Sequence, residues 1–270
     1  MSTPPSLLHM MSLRGRHALV CGASAGIGRA TAVALAGLGC RVTPLARRAE
    51  RLDTLLHELH DAGSPESTRF VVADLNDRVA TRLAVEAVLG EVGPVHVLLN
   101  NSGGPAAGAV LEADESAFLE AFGRHVLASH MLTRMVLPGM REAEFGRIIN
   151  VISTSVREPI ANLGVSNTIR GAMASWSKSV SRELPPGVTI NNILPGYTAT
   201  ERLGELATTL SAQTGRTERQ VEHDWVAAVP EGRLGQPQET AAAIAFLASP
   251  AASYIRGVSL AVDGGRLQSI

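Results

Sequence analysis

Short runs of apolar residues alternate along the chain with longer segments in which apolar residues recur every three or four positions. The runs are typical of buried strands, and the three-to-four spacing is typical of amphipathic helices. The predicted strands cover residues 18–20, 41–45, 70–73, 95–99, 147–152, 188–194 and 258–262. One predicted helix begins at residue 29, and the others cover residues 48–60, 79–89, 115–137, 166–183 and 241–247.

This alternation predicts an α/β fold, in which one doubly wound parallel sheet of about seven strands carries helices on both faces. We expect a single domain over residues 13–270, because a chain of this length suits one large α/β domain. Residues 1–12 are expected to be a flexible leader rather than a signal peptide. Residues 197–230 include a polar interruption of the pattern and are the expected substrate-binding lid.

Composition narrows the class of protein. Hydrophobic residues make up 45% of the chain and charged residues 18%, which is enough apolar material for a sizeable core. A net charge of −1 indicates neither a nucleic-acid partner nor an anionic membrane surface, and no apolar run is long enough to span a bilayer. Two cysteines, Cys21 and Cys40, do not make a disulfide framework, so we expect a cytoplasmic protein. No histidine spacing predicts a metal site.

Three glycines follow the first predicted strand. Gly22 allows a tight turn, Gly26 lets backbone N–H groups approach a pyrophosphate, and Gly28 permits close packing of strand and helix. The helix that begins there presents unpaired N–H groups and a partial positive charge to a phosphate. Placed between a strand and a helix, the pattern predicts a dinucleotide-binding site.

Five separated motifs resemble those of the short-chain dehydrogenase/reductase family, of the β-ketoacyl-reductase-like type. They are the glycine segment 22–28, Asp74-Leu75, the segment 100–103, the segment 191–196, and the segments 233–237 and 260–265 taken together. The resemblance covers nearly the whole chain from about Leu13. It implies a Rossmann fold that holds a nicotinamide cofactor, usually in a homodimer or homotetramer.

The second predicted strand indicates which nicotinamide cofactor binds. NAD-binding units carry an acidic residue at this strand end, whereas a basic residue meets the 2′-phosphate of NADP. Here Arg47 and Arg48 occupy the position, and a guanidinium suits a phosphate. We therefore expect NADP(H), although both arginines also fit the solvated start of a helix. The expected cofactor-binding residues are Gly22, Ser24, Gly26, Ile27, Gly28, Arg47, Arg48, Asp74, Leu75, Asn101, Ser102, Gly103, Arg170, Pro195, Gly196, Thr198 and Thr200.

Two of these residues have a structural alternative. Asp74 is expected to accept a hydrogen bond from the adenine amino group, as the resemblance implies, or to cap the following helix. Asn101 is expected beside the adenosine, although an Asn-Ser-Gly turn also forms without a ligand.

The catalytic centre departs from the family. Members typically carry an Asn, a Ser, a Tyr and, four residues after the Tyr, a Lys. Alignment of the flanking motifs places His125 at the Asn position, retains Ser153, and gives Ser166 and Arg170 in place of the Tyr and the Lys. The usual phenol donates a proton to the substrate, and the pKa of a serine hydroxyl is far too high for that role. An arginine stays protonated and does not shuttle protons. Arg170 retains a charge that can hold the nicotinamide ribose, and Ser153 can hydrogen-bond a substrate oxygen.

The missing acid has three possible replacements. His125 can donate a proton if its pKa is near neutral, although a helical histidine is often structural. Tyr197 follows Pro195-Gly196, where the resemblance places the substrate pocket, and either donates a proton or forms part of the wall. Otherwise the substrate needs no strong acid, as with an iminium, a quinone or an activated enone. The other tyrosine, Tyr254, is expected in the core or at an interface.

The sequence therefore predicts an NADPH-dependent reductase with a non-standard centre and a small-molecule substrate. A catalytically silent NADP-binding protein is the alternative. A non-redox lyase or dehalogenase is disfavoured, because the glycine loop is intact. We expect helices 115–137 and 166–183 to pair across a two-fold axis, as the resemblance implies. The apolar residues of this seam would be Ala128, Met131, Met135, Met173, Trp176 and Val180.

Overall fold

The computed structural model describes residues 6–65 and 69–269. Within this part of the chain, seven strands form one parallel sheet in the order β3-β2-β1-β4-β5-β6-β7. The strands are β1 (His17–Cys21), β2 (Arg41–Ala46), β3 (Val71–Val72), β4 (Val97–Asn100), β5 (Gly146–Val151), β6 (Val188–Pro195) and β7 (Ser259–Val262). The strand order reverses between β1 and β4, and a crevice opens there at the carboxyl ends of the strands.

Helices connect the strands. They are α1 (Leu7–Met11), α2 (Gly26–Gly37), α3 (Ala49–Asp61), α4 (Arg78–Val92), α5 (Glu115–Phe122), α6 (Ala128–Glu142), α7 (Gly164–Glu183), α8 (Glu201–Thr214), α9 (Glu218–Ala227) and α10 (Pro237–Ala248). The predicted doubly wound α/β fold is confirmed.

The sheet is buried on both faces. Leucines of α2 and α3, including Leu35 and Leu55, pack with Leu247 of α10 in one apolar layer. Val85 of α4 and Leu132 of α6 belong to a second layer. Since parallel strands covered on both sides have no solvated face, they are expected to be apolar at almost every position. All five residues of β1 are buried, as are all four of β4.

The long helix predicted over residues 115–137 is three elements in the structure. After α5, the segment Gly123–Leu127 is a π-helix, and α6 then continues past the expected stop at Pro138 to Glu142. A π-helix inserts about one extra residue into a helix and therefore shifts every later side chain around the axis. Pro138 lies inside α6, and the fully buried Met140 packs the last turn of this helix against the core.

The polar residues 200–229 of the expected lid form α8 and α9, which begin at the side-chain caps of Thr200 and Thr217. Residues 1–12 include the short helix α1, where we expected a flexible leader, and residues 1–5 lie outside the described part. No helix in the described part of the chain is long and apolar enough to cross a membrane.

Three of the six apolar residues that we expected at a subunit interface are buried within the single chain. Ala128, Met131 and Met173 are buried in the cores under α6 and α7, so they cannot face a second subunit. Met135, Trp176 and Val180 are only partly buried.

Candidate active site

A cleft of about 500 Å³ lies at the carboxyl ends of the strands. It collects the expected cofactor residues except Gly28, together with three of the expected catalytic residues. The residues that line it from these two groups are Gly22, Ser24, Gly26, Ile27, Arg47, Arg48, Asp74, Leu75, Asn101, Ser102, Gly103, Ser153, Ser166, Arg170, Pro195, Gly196, Thr198 and Thr200. His125 and Tyr197 do not line it.

The glycine loop forms one wall of the cleft. Gly22 and Gly26 have φ angles of 63° and 55°, which favour glycine because a side chain is strained there. A Cβ added at Gly28 would lie only 2.2 Å from the carbonyl oxygen of Gly22, so only glycine allows α2 to approach the loop. The N-cap residue of α2, Ala25, offers no side-chain acceptor to the first N–H groups of the helix. Those groups suit an anion.

Asn101 braces the loop from β4. Its side-chain amide donates to the carbonyl oxygens of Cys21 and Gly22, at 3.3 and 3.4 Å. The amide nitrogen would lie 2.6 Å from a Cβ added at Gly22. The role of Asn101 in the structure is thus to tie the end of β4 to the glycine loop while also lining the cleft.

Two arginines stand at the end of β2, as the sequence predicts. Arg48 donates to the hydroxyl of Ser24 at 3.2 Å and lies 3.7 Å from a carboxylate oxygen of Glu201. Arg47 is largely exposed and lies 4.0 Å from Asp74. Asp74 does not cap α4, because Asp77 accepts the hydrogen bond from that helix. This end of the cleft can therefore meet an added phosphate with two guanidinium groups.

The positions of the usual Tyr and Lys lie on α7. Ser166 in its first turn lines the cleft, and one turn later Arg170 is buried and donates to the carbonyl oxygen of Val151 at 2.9 Å. Burial, with Arg124 and Arg202 nearby, lowers the pKa of Arg170 to about 10, so it stays charged at neutral pH. Ser153 also lines the cleft, and its hydroxyl oxygen accepts from the N–H of Ser155.

His125 lies in the π-helix and not in the cleft. Its ring lines a cavity of about 10 Å³, which it shares with Ser102 and Arg170. Nδ1 lies 2.8 Å from the hydroxyl of Ser102, and the buried Nε2 has no hydrogen-bond partner among the described residues. Burial first, and then the charges of Arg170 and Arg124, lower the pKa of His125 to about 2. The expectation of a near-neutral pKa is therefore wrong, and the ring is uncharged at physiological pH.

Neither tyrosine is among the residues that line the cleft. The ring of Tyr197 stacks on Trp225 of α9 at a centroid distance of 5.4 Å, and the guanidinium of Arg266 lies 5.0 Å from the same ring. This packing within the lid favours the structural interpretation of Tyr197. Tyr254 is fully exposed, which excludes the core and leaves the interface, the other place that we expected for it.

Several charged residues that line the cleft were not predicted from the sequence. Arg124 precedes His125 in the π-helix, and Arg202, Glu201 and Glu205 come from α8 of the lid. Glu201, Arg202 and Glu205 fall in the expected lid of residues 197–230, and this placement is the sequence signal for them. No group of three potential metal ligands occurs among the described His, Cys, Asp and Glu residues.

The buried His125 predicts a specific loss of stability in acid. The unfolded chain takes up a proton near the ordinary pKa of 6.5, whereas the folded protein does not until about pH 2. Stability from this neutral ring is thus present above pH 6.5 and falls as the pH drops below that value. At pH 5 the loss is about 2 kcal/mol.

We expect urea unfolding at pH 7 and pH 5 to show that His125→Asn loses about 2 kcal/mol less than the wild type between these pH values. The matched control is His57→Asn at an exposed position of α3, which should behave as the wild type does. An equal acid loss in the His125 variant would contradict a neutral buried ring.

The chain is similar to known reductases, which agrees with a cleft that suits a nicotinamide cofactor. A family model described as enoyl-(acyl carrier protein) reductase matches residues 22–266. The NADPH-dependent reductase BacG of Bacillus subtilis is 30% identical, over 94% of this chain and 99% of that protein. The 3-oxoacyl-[acyl-carrier-protein] reductase FabG of Vibrio cholerae is 33% identical, over 94% of this chain and 98% of that protein.

Solved structures show the same similarity. YwfH, described as an NADPH-dependent reductase involved in bacilysin biosynthesis, superposes with a TM-score of 0.87 at 29% identity, over 94% of this chain and 99% of that one. A variant of actinorhodin polyketide ketoreductase with NADPH gives 0.88 at 31% identity, over 94% and 98%. With the glycine loop, the arginine pair and the parallel sheet in place, the chain belongs to the short-chain dehydrogenase/reductase family.

Proposed function

We propose that this protein is an NADPH-dependent reductase that transfers hydride to a small carbonyl, imine, quinone or activated-alkene substrate through a centre without a phenolic acid. One observation carries the proposal. The cleft is lined by all of the expected cofactor residues except Gly28, and Ser153 and the buried cation of Arg170 line it as well. The relatives named above as NADPH-dependent or in complex with NADPH support the choice of cofactor.

The residues present fit NADP(H). The close approach of Gly28 to Gly22 leaves the start of α2 open to a pyrophosphate, and Arg47 and Arg48 suit the 2′-phosphate. Asp74 and Leu75 line the adenosine end, and Pro195, Gly196, Thr198 and Thr200 line the opposite wall. We assign to Arg170 a contact with the nicotinamide ribose, at the part of the cleft where the substrate also binds.

When bound, NADPH supplies a hydride to the electrophilic atom of the substrate. The electron pair of the reduced bond then moves to the neighbouring atom, where Arg170 stabilises the developing negative charge and Ser153 can donate a hydrogen bond. Neither group delivers the proton, because Arg170 remains protonated and a serine hydroxyl is a very weak acid. The proton therefore comes from water or from the substrate itself.

A silent NADP-binding protein is the second candidate, and two observations favour it. Tyr197 is stacked within the lid, and His125 is held neutral beside the cleft, so no ordinary proton donor lines the cleft among the described residues. A lyase or dehalogenase remains less favoured because the glycine loop is intact.

The test is oxidation of NADPH, followed by its absorbance, against a panel of ketones, imines, quinones and conjugated enones. We expect turnover of at least one conjugated acceptor, with a rate that is flat between pH 6 and 9 because His125 does not titrate there. Absence of turnover across the panel, in protein that binds NADPH, would favour the silent protein.

Restoring the usual pair tests whether the centre has been rebuilt. In Ser166→Tyr with Arg170→Lys, a phenol fills space that Ser166 leaves open, so we expect at least a tenfold loss of turnover of the accepted substrate. NADPH affinity, measured separately, should change less. Higher activity of the double variant on the same substrate would show that the natural centre is a degraded form of the usual one.

The arginine pair predicts the cofactor preference. Arg47→Asp should weaken NADPH binding by roughly ten- to a hundred-fold, because a charged phosphate contact is worth about 1.5–3 kcal/mol. NADH binding should not weaken. Calorimetry measures both affinities, and Arg82→Asp at an exposed position of α4 is the matched control. An unchanged preference in Arg47→Asp would contradict the assignment of this residue.

We also propose a homodimer or homotetramer that forms through α6 and α7. Met135, Trp176 and Val180 remain partly buried in the single chain and can supply an apolar contact. Light scattering at micromolar concentration should give a multiple of 28.3 kDa. A monomeric mass would contradict the proposed oligomer and would leave the proposed reductase activity unaffected.

A further inference from the structure

The inner end of the cleft is positively charged. Three guanidinium groups line it, from Arg124 of the π-helix, Arg170 of α7 and Arg202 of α8. Arg170 is 8% exposed, and its hydrogen bond to Val151 leaves most of its five N–H donors free for a ligand. No carboxylate among the described residues lies within salt-bridge distance of Arg170.

Arg170 and Arg202 approach one point from different elements. A Cβ added at Gly104 would lie 3.8 Å from Nη2 of Arg170 and 3.9 Å from Nη2 of Arg202. Arg202 is held there by a hydrogen bond of 2.6 Å to the carbonyl oxygen of Pro105. One guanidinium therefore comes from the fixed α7 and the other from the lid, and both border the same part of the cleft.

Arg124 lies 3.6 Å from Glu120, which does not line the cleft, whereas the acidic residues that line the cleft do not neutralise Arg170 and Arg202. Asp74 lies beside Arg47, and Glu201 pairs with Arg51 at 2.6 Å, so both serve the adenosine end. Glu205 lies 3.4 Å from Arg202, but its side chain is 67% exposed and a surface pair of this kind is weak. A ligand carboxylate can displace it.

A buried guanidinium without an anion is costly, because burial removes its hydration. Carboxylates match a guanidinium with two parallel hydrogen bonds. We propose that the substrate is a carboxylate, held between Arg170 and Arg202 beside its reducible bond. This inference rests on the proposed function, which places NADP(H) in the remainder of the cleft.

The test uses the NADP⁺-loaded protein and two probes that differ in one group. Benzylidenepyruvate carries a carboxylate beside a conjugated ketone, and benzylideneacetone carries a methyl group in its place. We expect calorimetry to show at least tenfold tighter binding of benzylidenepyruvate. Arg202→Gln should remove most of that preference and Arg202→Lys should restore part of it, since the lysine keeps the charge. Arg219→Gln, at an exposed position of α9, is the matched control and should keep the preference.

Three results would overturn the inference. They are equal affinity for the two probes, a preference that survives in Arg202→Gln, and an equal loss of NADP⁺ affinity in that variant, which would assign Arg202 to the cofactor. Failure of the reductase is a separate result. Carboxylate-dependent binding, lost in Arg202→Gln, without NADPH oxidation by any panel compound would contradict the proposed activity and leave the carboxylate site in place.

Discussion

The cofactor cradle depends on one close contact between two glycines. The hydrogen of Gly28 faces the carbonyl oxygen of Gly22 at a distance that no side chain allows, and the amide of Asn101 closes on Gly22 from the other side. These contacts fix the end of β1, the start of α2 and the end of β4 relative to one another. Since β1 and β4 are the strands between which the sheet order reverses, the same contacts also fix the crevice where the cofactor residues meet.

A second constraint is the buried charge of Arg170. The burial that lowers the pKa of this arginine also lowers the pKa of His125, and each positive charge near His125 makes its protonation harder. Two positive charges repel each other in a buried pocket, so the imidazole of His125 stays neutral beside the guanidinium of Arg170. Among the described residues, the centre thus keeps a permanent cation at Arg170 and a neutral ring at His125. In the reaction that we propose, Arg170 contributes electrostatic stabilisation.

Much of this arrangement could be predicted from the sequence. The alternation of strands and helices, the glycine loop, and Arg47 and Arg48 follow from local patterns and motif spacing. The assignment of Ser166 and Arg170 to the positions of the usual pair follows from the resemblance to the family. Other features depend on contacts between distant segments. The stacking of Tyr197 on Trp225 and the approach of Arg202 to Gly104 are of this kind. Contacts between such distant residues produce no periodic pattern in the sequence from which they could be predicted.

The π-helix is a different case. One extra residue in a helical segment does not change its apolar pattern enough to be seen, yet it turns every later side chain. His125 lies within the π-helix and lines a cavity with Arg170, and Ala128 and Met131, which we expected at a subunit interface, follow it and are buried.

The loss of the phenol and the gain of the arginines favour the same class of acceptor. Hydride addition to an isolated ketone produces a localised alkoxide, which needs a proton as it forms and therefore needs an acid in place. Hydride addition to a conjugated acceptor produces a delocalised anion, which a fixed guanidinium can stabilise until water protonates it. A carboxylate beside the conjugated system would add an anchor and hold the reacting atom in register. Conjugated carboxylates thus satisfy both the charge of this cleft and its lack of an acid.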